Sequence, residues 1–336
     1  MNKKIQNIEV YHKLVDSIGS TIESARQRAI QAVNHELLKA NWEIGKYIVE
    51  FEQHGNEKAE YGSSLLTNLS KDLKSRFGKG FSKSNIYLMR QFYIKYQIFQ
   101  SLTGKLTWTH YAELLGVSDD LSRRFYEKQA ANDNWSVREL KRQISSSLFE
   151  RLALSQDKSG ILKLSEKGMI ISEPKDIVKD PYILEFLQIP EAYRMTESKL
   201  EQRIIDNLQT FLLELGKGFS FVGRQYRITL DNDHYYVDLV FYHRILKCFV
   251  LIDLKTKHVK HQDVGQMNMY LNYFRSEENT EGDNPPIGIV LGANKNDILV
   301  EYAIGGISNN IFVSKYQIYL PDRKILEQKV KELMTE

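Results

Sequence analysis

Two aspartates stand where a carboxylate is costly. Asp238 lies inside the run Tyr235-Tyr236-Val237-Asp238-Leu239-Val240-Phe241-Tyr242, and fourteen residues lie between it and Asp253, which ends the run Cys248-Phe249-Val250-Leu251-Ile252. A carboxylate in an apolar strand is unfavourable unless it is paired or binds a metal. Two of them on adjacent strands, meeting at one point, make a hard, oxygen-rich pocket suited to Mg²⁺. Lys255 is two residues beyond Asp253, so on a strand both point to the same side. A lysine held there can position an attacking water or help to deprotonate it.

The tripeptide alone carries no weight. Asp/Glu-x-Lys occurs seven times, at 72, 139, 173, 197, 253, 322 and 327. Only the copy at 253 follows a five-residue apolar strand, and only that copy is preceded, at a hairpin's distance, by another strand-embedded aspartate.

The elements that must position these groups follow from the patterning. Up to about residue 150 the spacing is helical, beginning with Leu14, Ile18, Ile22 and Ala25. Helices are predicted over 65–77, ended by Gly78-Lys79-Gly80, and over 82–96, capped by Ser82 or Ser84. Others fit 111–115, 121–131 and 136–149. Residues 151–182 read as a linker, because Glu173-Pro174 and Asp180-Pro181 interrupt any helix. Then come one helix over 200–215, strands over 219–230 and 234–243 joined by Asp231-Asn232-Asp233, and a strand over 248–255. A helix over 263–274, a strand over 286–292, a short helix over 297–304, a strand over 310–320 and a helix over 321–333 complete the chain. The expected organisation is a helical domain over 10–150, a linker over 151–182 and a mixed α/β (α+β) domain over 183–336.

With these residues in place the chain resembles the PD-(D/E)xK nuclease superfamily. Within it the chain is similar to the YhcG-like bacterial nucleases, which join an all-helical N-terminal domain to such a core. The resemblance is carried by 211–219, Phe221-Val-Gly-Arg-Gln225, Asp238-Leu-Val-Phe-Tyr242, Asp253-Leu-Lys255 and Gly265-Gln266-x3-Tyr270. It implies a restriction-endonuclease-like core of order α-β-β-β-α-β. It implies that Asp238 and Asp253 are metal ligands, with the Leu254 carbonyl as a third and Glu201 completing the shell. Glu197, one turn earlier, is the rival for that place. Lys255 would serve the water, and Gln266 and Tyr270 match a Gln-x3-Tyr element near the site. The metal would be Mg²⁺, with Mn²⁺ as substitute, and the substrate DNA. One departure is that valine, not proline, precedes Asp238.

Charge points the same way. The 336 residues carry a net charge of only +3. Within 61–100, however, seven basic residues face one acid, Asp72, as a phosphate-facing surface requires. The paired helices over 65–96 have helix-turn-helix length. Lys79, Lys83, Asn85 and Arg90 are the expected nucleic-acid contacts there, and Lys257 and Lys260 those of the loop after the lysine motif. The plain alternative is a helical hairpin with a solvated face. The rival function is an inactive nucleic-acid-binding or protein-interaction scaffold in a repair or defence complex. A duplex needs two cuts, which favours a homodimer, although no residue carries that expectation. A single cysteine, Cys248, excludes an intrachain disulfide and a cysteine zinc site. No signal peptide and no membrane span are expected, so a cytoplasmic location is.

Overall fold

The computed structural model describes residues 2–54, 64–99, 104–190, 196–294 and 310–335. It divides into two compact units, 1–140 and 141–336.

The first unit is helical throughout its described residues. It contains α1 (Asn2–His54), α2 (Leu65–Phe77), α3 (Lys83–Lys95), α4 (Trp108–Leu115), α5 (Asp120–Asp133) and the start of α6 (Val137–Ser145). Ser82 caps α3 by accepting the Asn85 N–H, and Gly78 ends α2 at a φ of 92°, as the sequence predicts. α3 is the central element here, with Ile86, Met89 and Phe92 buried. Along α1 the early apolar spacing forms one long helix, but Leu14, Ile18, Ile22, Ile30, Val33 and Leu37 are exposed, and burial begins at Leu38 and Ile48.

The second unit begins with α7 (Leu148–Ala153) and α8 (Lys158–Lys167), then β1 (Tyr182–Ile183). The expected linker is therefore largely structured. Asp157 accepts the Gly160 N–H at 2.7 Å to start α8, and Ile161 is its buried anchor. Lys158, Lys163 and Lys167 lie on the solvent side of this helix. Next come α9 (Glu197–Asp206) and α10 (Leu208–Leu215), which divide at Asn207 what the spacing predicts as one helix. β2 (Phe219–Leu230), β3 (Asp233–His243), β4 (Cys248–His258), α11 (His261–Tyr273), β5 (Ile287–Asn294), β6 (Ile311–Gln317) and α12 (Arg323–Thr335) complete it. The helix predicted over 297–304 lies outside the described residues.

The six strands form one mixed sheet in the order β1-β6-β5-β4-β3-β2. β2, β3 and β4 are antiparallel neighbours, whereas β4, β5, β6 and β1 run parallel. Asp231 and Asn232 both have positive φ, the conformation a two-residue hairpin turn demands. Each sheet face has its own core. On one, Leu200, Ile204, Phe211 and Leu215 of α9 and α10 cover Phe241, Val250, Ile252 and Leu254. On the other, Val264, Met267, Tyr270 and Leu271 of α11 cover Val240, Leu251 and Val290. Alternation along β4 thus sends even-numbered residues to α9 and α10, and Leu251 to α11. Gly288 lets α11 seat closely, since a Cβ there would lie 2.5 Å from Met267 Cγ.

Candidate active site

The site forms where β3 and β4 separate. Leu239↔Ile252 is the last backbone rung between them. One step further the Leu254 N–H is taken not by backbone but by Asp238 Oδ2, at 2.8 Å. The carboxylate thereby continues the ladder with a side chain, and the strands fork around it.

Asp253 and Lys255 flank Leu254 on β4. Lys255 Nζ lies 2.6 Å from Asp253 Oδ2. At that distance the ammonium and the buried carboxylate are in direct ion-pair contact. Burial pushes the Asp253 carboxyl up to about 7, against the pull of Lys255 and with the charge of Asp238 adding to it. Burial alone would push Lys255 down, but Asp253 outweighs it and holds the ammonium above its ordinary value. Lys255 is therefore a cation, suited to orienting a water or a phosphate oxygen. Of the two expected roles, positioning the water is the one a cation performs directly.

Glu201 reaches the fork from α9, where it is buried. Gln225 connects it to Asp238: its Nε2 donates to Glu201 Oε2 at 2.6 Å and to Asp238 Oδ1 at 3.0 Å. Burial raises both carboxyls above their ordinary values. Glu201, Gln225 and Asp238 line a cleft of about 390 Å³ with Ser198, Gln202 and Arg224. Glu197, the rival acid, accepts the N–H of Thr256, next to Lys255, at 3.3 Å, and its charge acts on both Lys255 and Asp238. Sequence reasoning did not single out Gln225 as a site residue. Its φ is 46°, a left-handed conformation in mid-strand, which for a residue with a side chain is strained.

Gln266 and Tyr270 act one layer behind. Gln266 Nε2 donates to the Tyr270 hydroxyl at 2.6 Å, and that hydroxyl donates to the Tyr236 carbonyl at 3.0 Å. Tyr270 is fully buried and pins the β3 backbone two residues from Asp238. Leu254 contributes its N–H to Asp238 and lies opposite Leu291 in the ladder with β5.

The expected nucleic-acid contacts separate into two groups. Lys79, Lys83, Lys257 and Lys260 are exposed. Asn85 and Arg90 are occupied: Asn85 donates to the Gly80 carbonyl at 2.6 Å and accepts from Trp108 Nε1 at 2.9 Å. Arg90 pairs with Glu52 of α1 at 2.8 Å. The second helix of the pair thus directs these two side chains to Gly80, Trp108 and Glu52.

No three His, Cys, Asp or Glu groups among the described residues form a ready-made metal cage. The donor chemistry nevertheless fits a hard divalent cation. Three desolvated carboxyls, those of Asp238, Asp253 and Glu201, stand at one fork and offer hard oxygen donors.

A mixed sheet that forks at a strand-embedded aspartate, followed by Asp-x-Lys on the next strand, defines a PD-(D/E)xK-type nuclease core. Residues 175–332 match the YhcG PDDEXK nuclease domain, and residues 17–151 match the DUF1016 N-terminal domain. The chain is 39% identical over 348 aligned positions to the Escherichia coli (strain K12) protein named "Putative nuclease YhcG", covering 94% of this chain and 92% of that one. The chain belongs to this YhcG nuclease family. Among solved structures it is similar to a repair endonuclease from Pyrococcus abyssi, at 16% identity and a TM-score of 0.28, over 39% of this chain and 50% of that one. It is also similar to EndoMS in a complex with double-stranded DNA, at 15% identity and a TM-score of 0.26, over 40% and 51%. No helix among the described residues is long and apolar enough to cross a membrane.

Proposed function

We propose that the protein is a metal-dependent nuclease that hydrolyses phosphodiester bonds in DNA at the β3–β4 fork. One observation carries this reading: Asp253 is buried, pushed up to about 7 and paired with Lys255, while the N–H of Leu254 between them holds Asp238 of the neighbouring strand. A structural ion pair has no need of the second aspartate or of the fork. Asp238 and Asp253 would hold a divalent cation, Mg²⁺ with Mn²⁺ as substitute, with Glu201 nearby and the Leu254 carbonyl as a further oxygen. Such a cation supplies Lewis-acid stabilisation of the charge that builds on the phosphoryl oxygens.

The chain's own groups do the rest. Lys255 orients the attacking water and offsets negative charge at the phosphate. Gln225 keeps the Glu201 and Asp238 carboxylates at one cleft. Tyr270 and Gln266 hold the β3 backbone in register. The helical N-terminal domain would aid in holding substrate or a partner through Lys79 and Lys83, while Lys257 and Lys260 flank the fork. We further propose that the protein works in the cytoplasm and as a homodimer, one cut per strand.

The test is cleavage of supercoiled, linear, single-stranded and branched DNA with Mg²⁺, Mn²⁺ or EDTA, comparing wild type with Asp253→Ala and Lys255→Ala. Metal-dependent cutting lost in both variants supports the reading. Wild type that binds every DNA and cuts none, with variants that bind equally well, replaces it with the scaffold.

A further inference from the structure

The β2–β3 hairpin is longer than the sheet it belongs to. β2 and β3 pair from Phe219↔His243 out to Leu230↔Asp233, whereas β3 pairs with β4 only from Leu239 to His243. The outer half is a two-stranded ribbon that starts at Gln225 and Asp238. One face of it is sealed, with Ile228 and Val237 buried and Tyr226 and Tyr235 partly buried in the α11 core. The other face is bare. There Arg227 and Tyr236 are direct cross-strand partners, Arg227 exposed and Tyr236 46% exposed. On the next rung outward the Thr229 hydroxyl meets His234 Nδ1 at 3.0 Å.

A single exposed tyrosine needs no explanation. This one stands opposite a guanidinium on an otherwise bare ribbon that leads out of the fork. Arg227 and Tyr236 lie two residues along their strands from Gln225 and Asp238, about 7 Å further out. An arginine offers phosphate a planar fork of donors, and an exposed phenol ring offers a base a stacking platform. Asp231 and Asp233 make the tip of the hairpin anionic, which confines a polyanion to the rungs nearer the fork.

We propose that the Arg227–Tyr236 rung is a substrate-strand site. Arg227 holds a backbone phosphate, and Tyr236 stacks on an unpaired base neighbouring the phosphodiester at the fork. The inference rests on the nuclease reading and sharpens it, because the ring selects a strand whose base is free to leave its partner.

The test uses the full chain in EDTA, where nothing is cut, and fluorescence anisotropy with a fluorescein-labelled 20-mer, single-stranded and as a duplex. Wild type is compared with Arg227→Ala, Tyr236→Ala, Tyr236→Phe and the exposed control Tyr319→Ala. Loss of one stacked base weakens binding by about fivefold to a hundredfold. Tyr236→Ala is expected to show this on the single strand, with a smaller change on the duplex, while Tyr236→Phe and Tyr319→Ala bind as wild type. Arg227→Ala is expected to reduce the slope of log K against log salt by about 0.7, one phosphate on a single strand. A 5-iododeoxyuridine oligonucleotide should crosslink to Tyr236 on irradiation. If wild type binds or cuts, and both alanine variants match it in affinity and salt slope with no crosslink at Tyr236, this inference is overturned and the nuclease reading stands. If wild type neither binds nor cuts any DNA, both fall.

Discussion

The Leu254 amide donates to the Asp238 carboxylate across the strand fork at 2.8 Å, so the residue between Asp253 and Lys255 fixes the aspartate of the neighbouring strand. Any change at Asp238 therefore has a structural and a chemical effect, and an isosteric variant separates them. Asp238→Asn keeps a carbonyl oxygen for the Leu254 N–H and discards the charge. It is expected to melt within a few degrees of wild type while losing at least about a hundredfold in cleavage rate, the scale on which lost transition-state electrostatics acts. Paired melting curves and initial rates decide it.

Gln225 offers the opposite experiment. Its left-handed φ of 46° suits glycine better than glutamine. Gln225→Gly relieves that strain, roughly 1 kcal/mol, and removes the amide shared by Glu201 and Asp238. The expected outcome is a variant about as stable as wild type, or more so, that cuts at least about tenfold more slowly and needs more divalent cation for half-maximal rate. Unchanged metal dependence would return Gln225 to the role of an ordinary strand residue.

Tyr270→Phe removes a hydroxyl that both donates to the Tyr236 carbonyl and accepts from Gln266. Leaving a buried acceptor unpaired costs about 1–3 kcal/mol. We expect that loss in urea unfolding, with a fall in rate of no more than about tenfold, since the hydroxyl touches backbone. Gln266→Leu acts through the same hydroxyl. The double variant should therefore cost less than the two single effects added together.

Away from the fork, Glu214 is wholly buried and accepts from Arg151 at 3.1 Å, Arg142 at 3.0 Å and the Ile183 N–H at 2.9 Å. Burial alone would raise its carboxyl, but Arg151, Lys179 and Arg142 outweigh this and hold it below its ordinary 4.5. A depressed carboxyl stabilises the fold at pH values above its unfolded pKa, and that contribution is lost as pH falls through the folded one. Glu214→Gln should therefore destabilise by about 3–5 kcal/mol at pH 7, because buried cations lose their counter-charge. The gap from wild type should narrow as pH drops below 4.5. Denaturant titrations at pH 7 and in acid test both parts.

The aspartates were legible because a charge inside an apolar strand contradicts its surroundings, and the sequence displays that contradiction at 238 and 253. Glu201 was separable from Glu197 only through the family resemblance, since both lie one turn apart on the same helix. Gln225 was invisible as a site residue, because a positive φ at a non-glycine residue is imposed by tertiary contacts and leaves no mark in residue type. For Arg90 and Asn85 residue type does not choose a partner: the types suit phosphates and bases and equally suit Glu52 and Trp108, which packing places beside them. The helix over 158–167 was missed because two nearby prolines outweighed a ten-residue pattern, although Asp157 was present as its cap.

The chain holds one cysteine, and Cys248 is buried in β4 with its thiol pushed up to about 11. To a maleimide or an iodoacetamide the native fold is thus close to thiol-free, because thiolate, the reacting form, is scarce and enclosed. A cysteine installed at an exposed position such as 236 or 319 becomes the one fast-reacting handle. The protein can then carry a single fluorophore or spin label, with no native residue removed to prepare it.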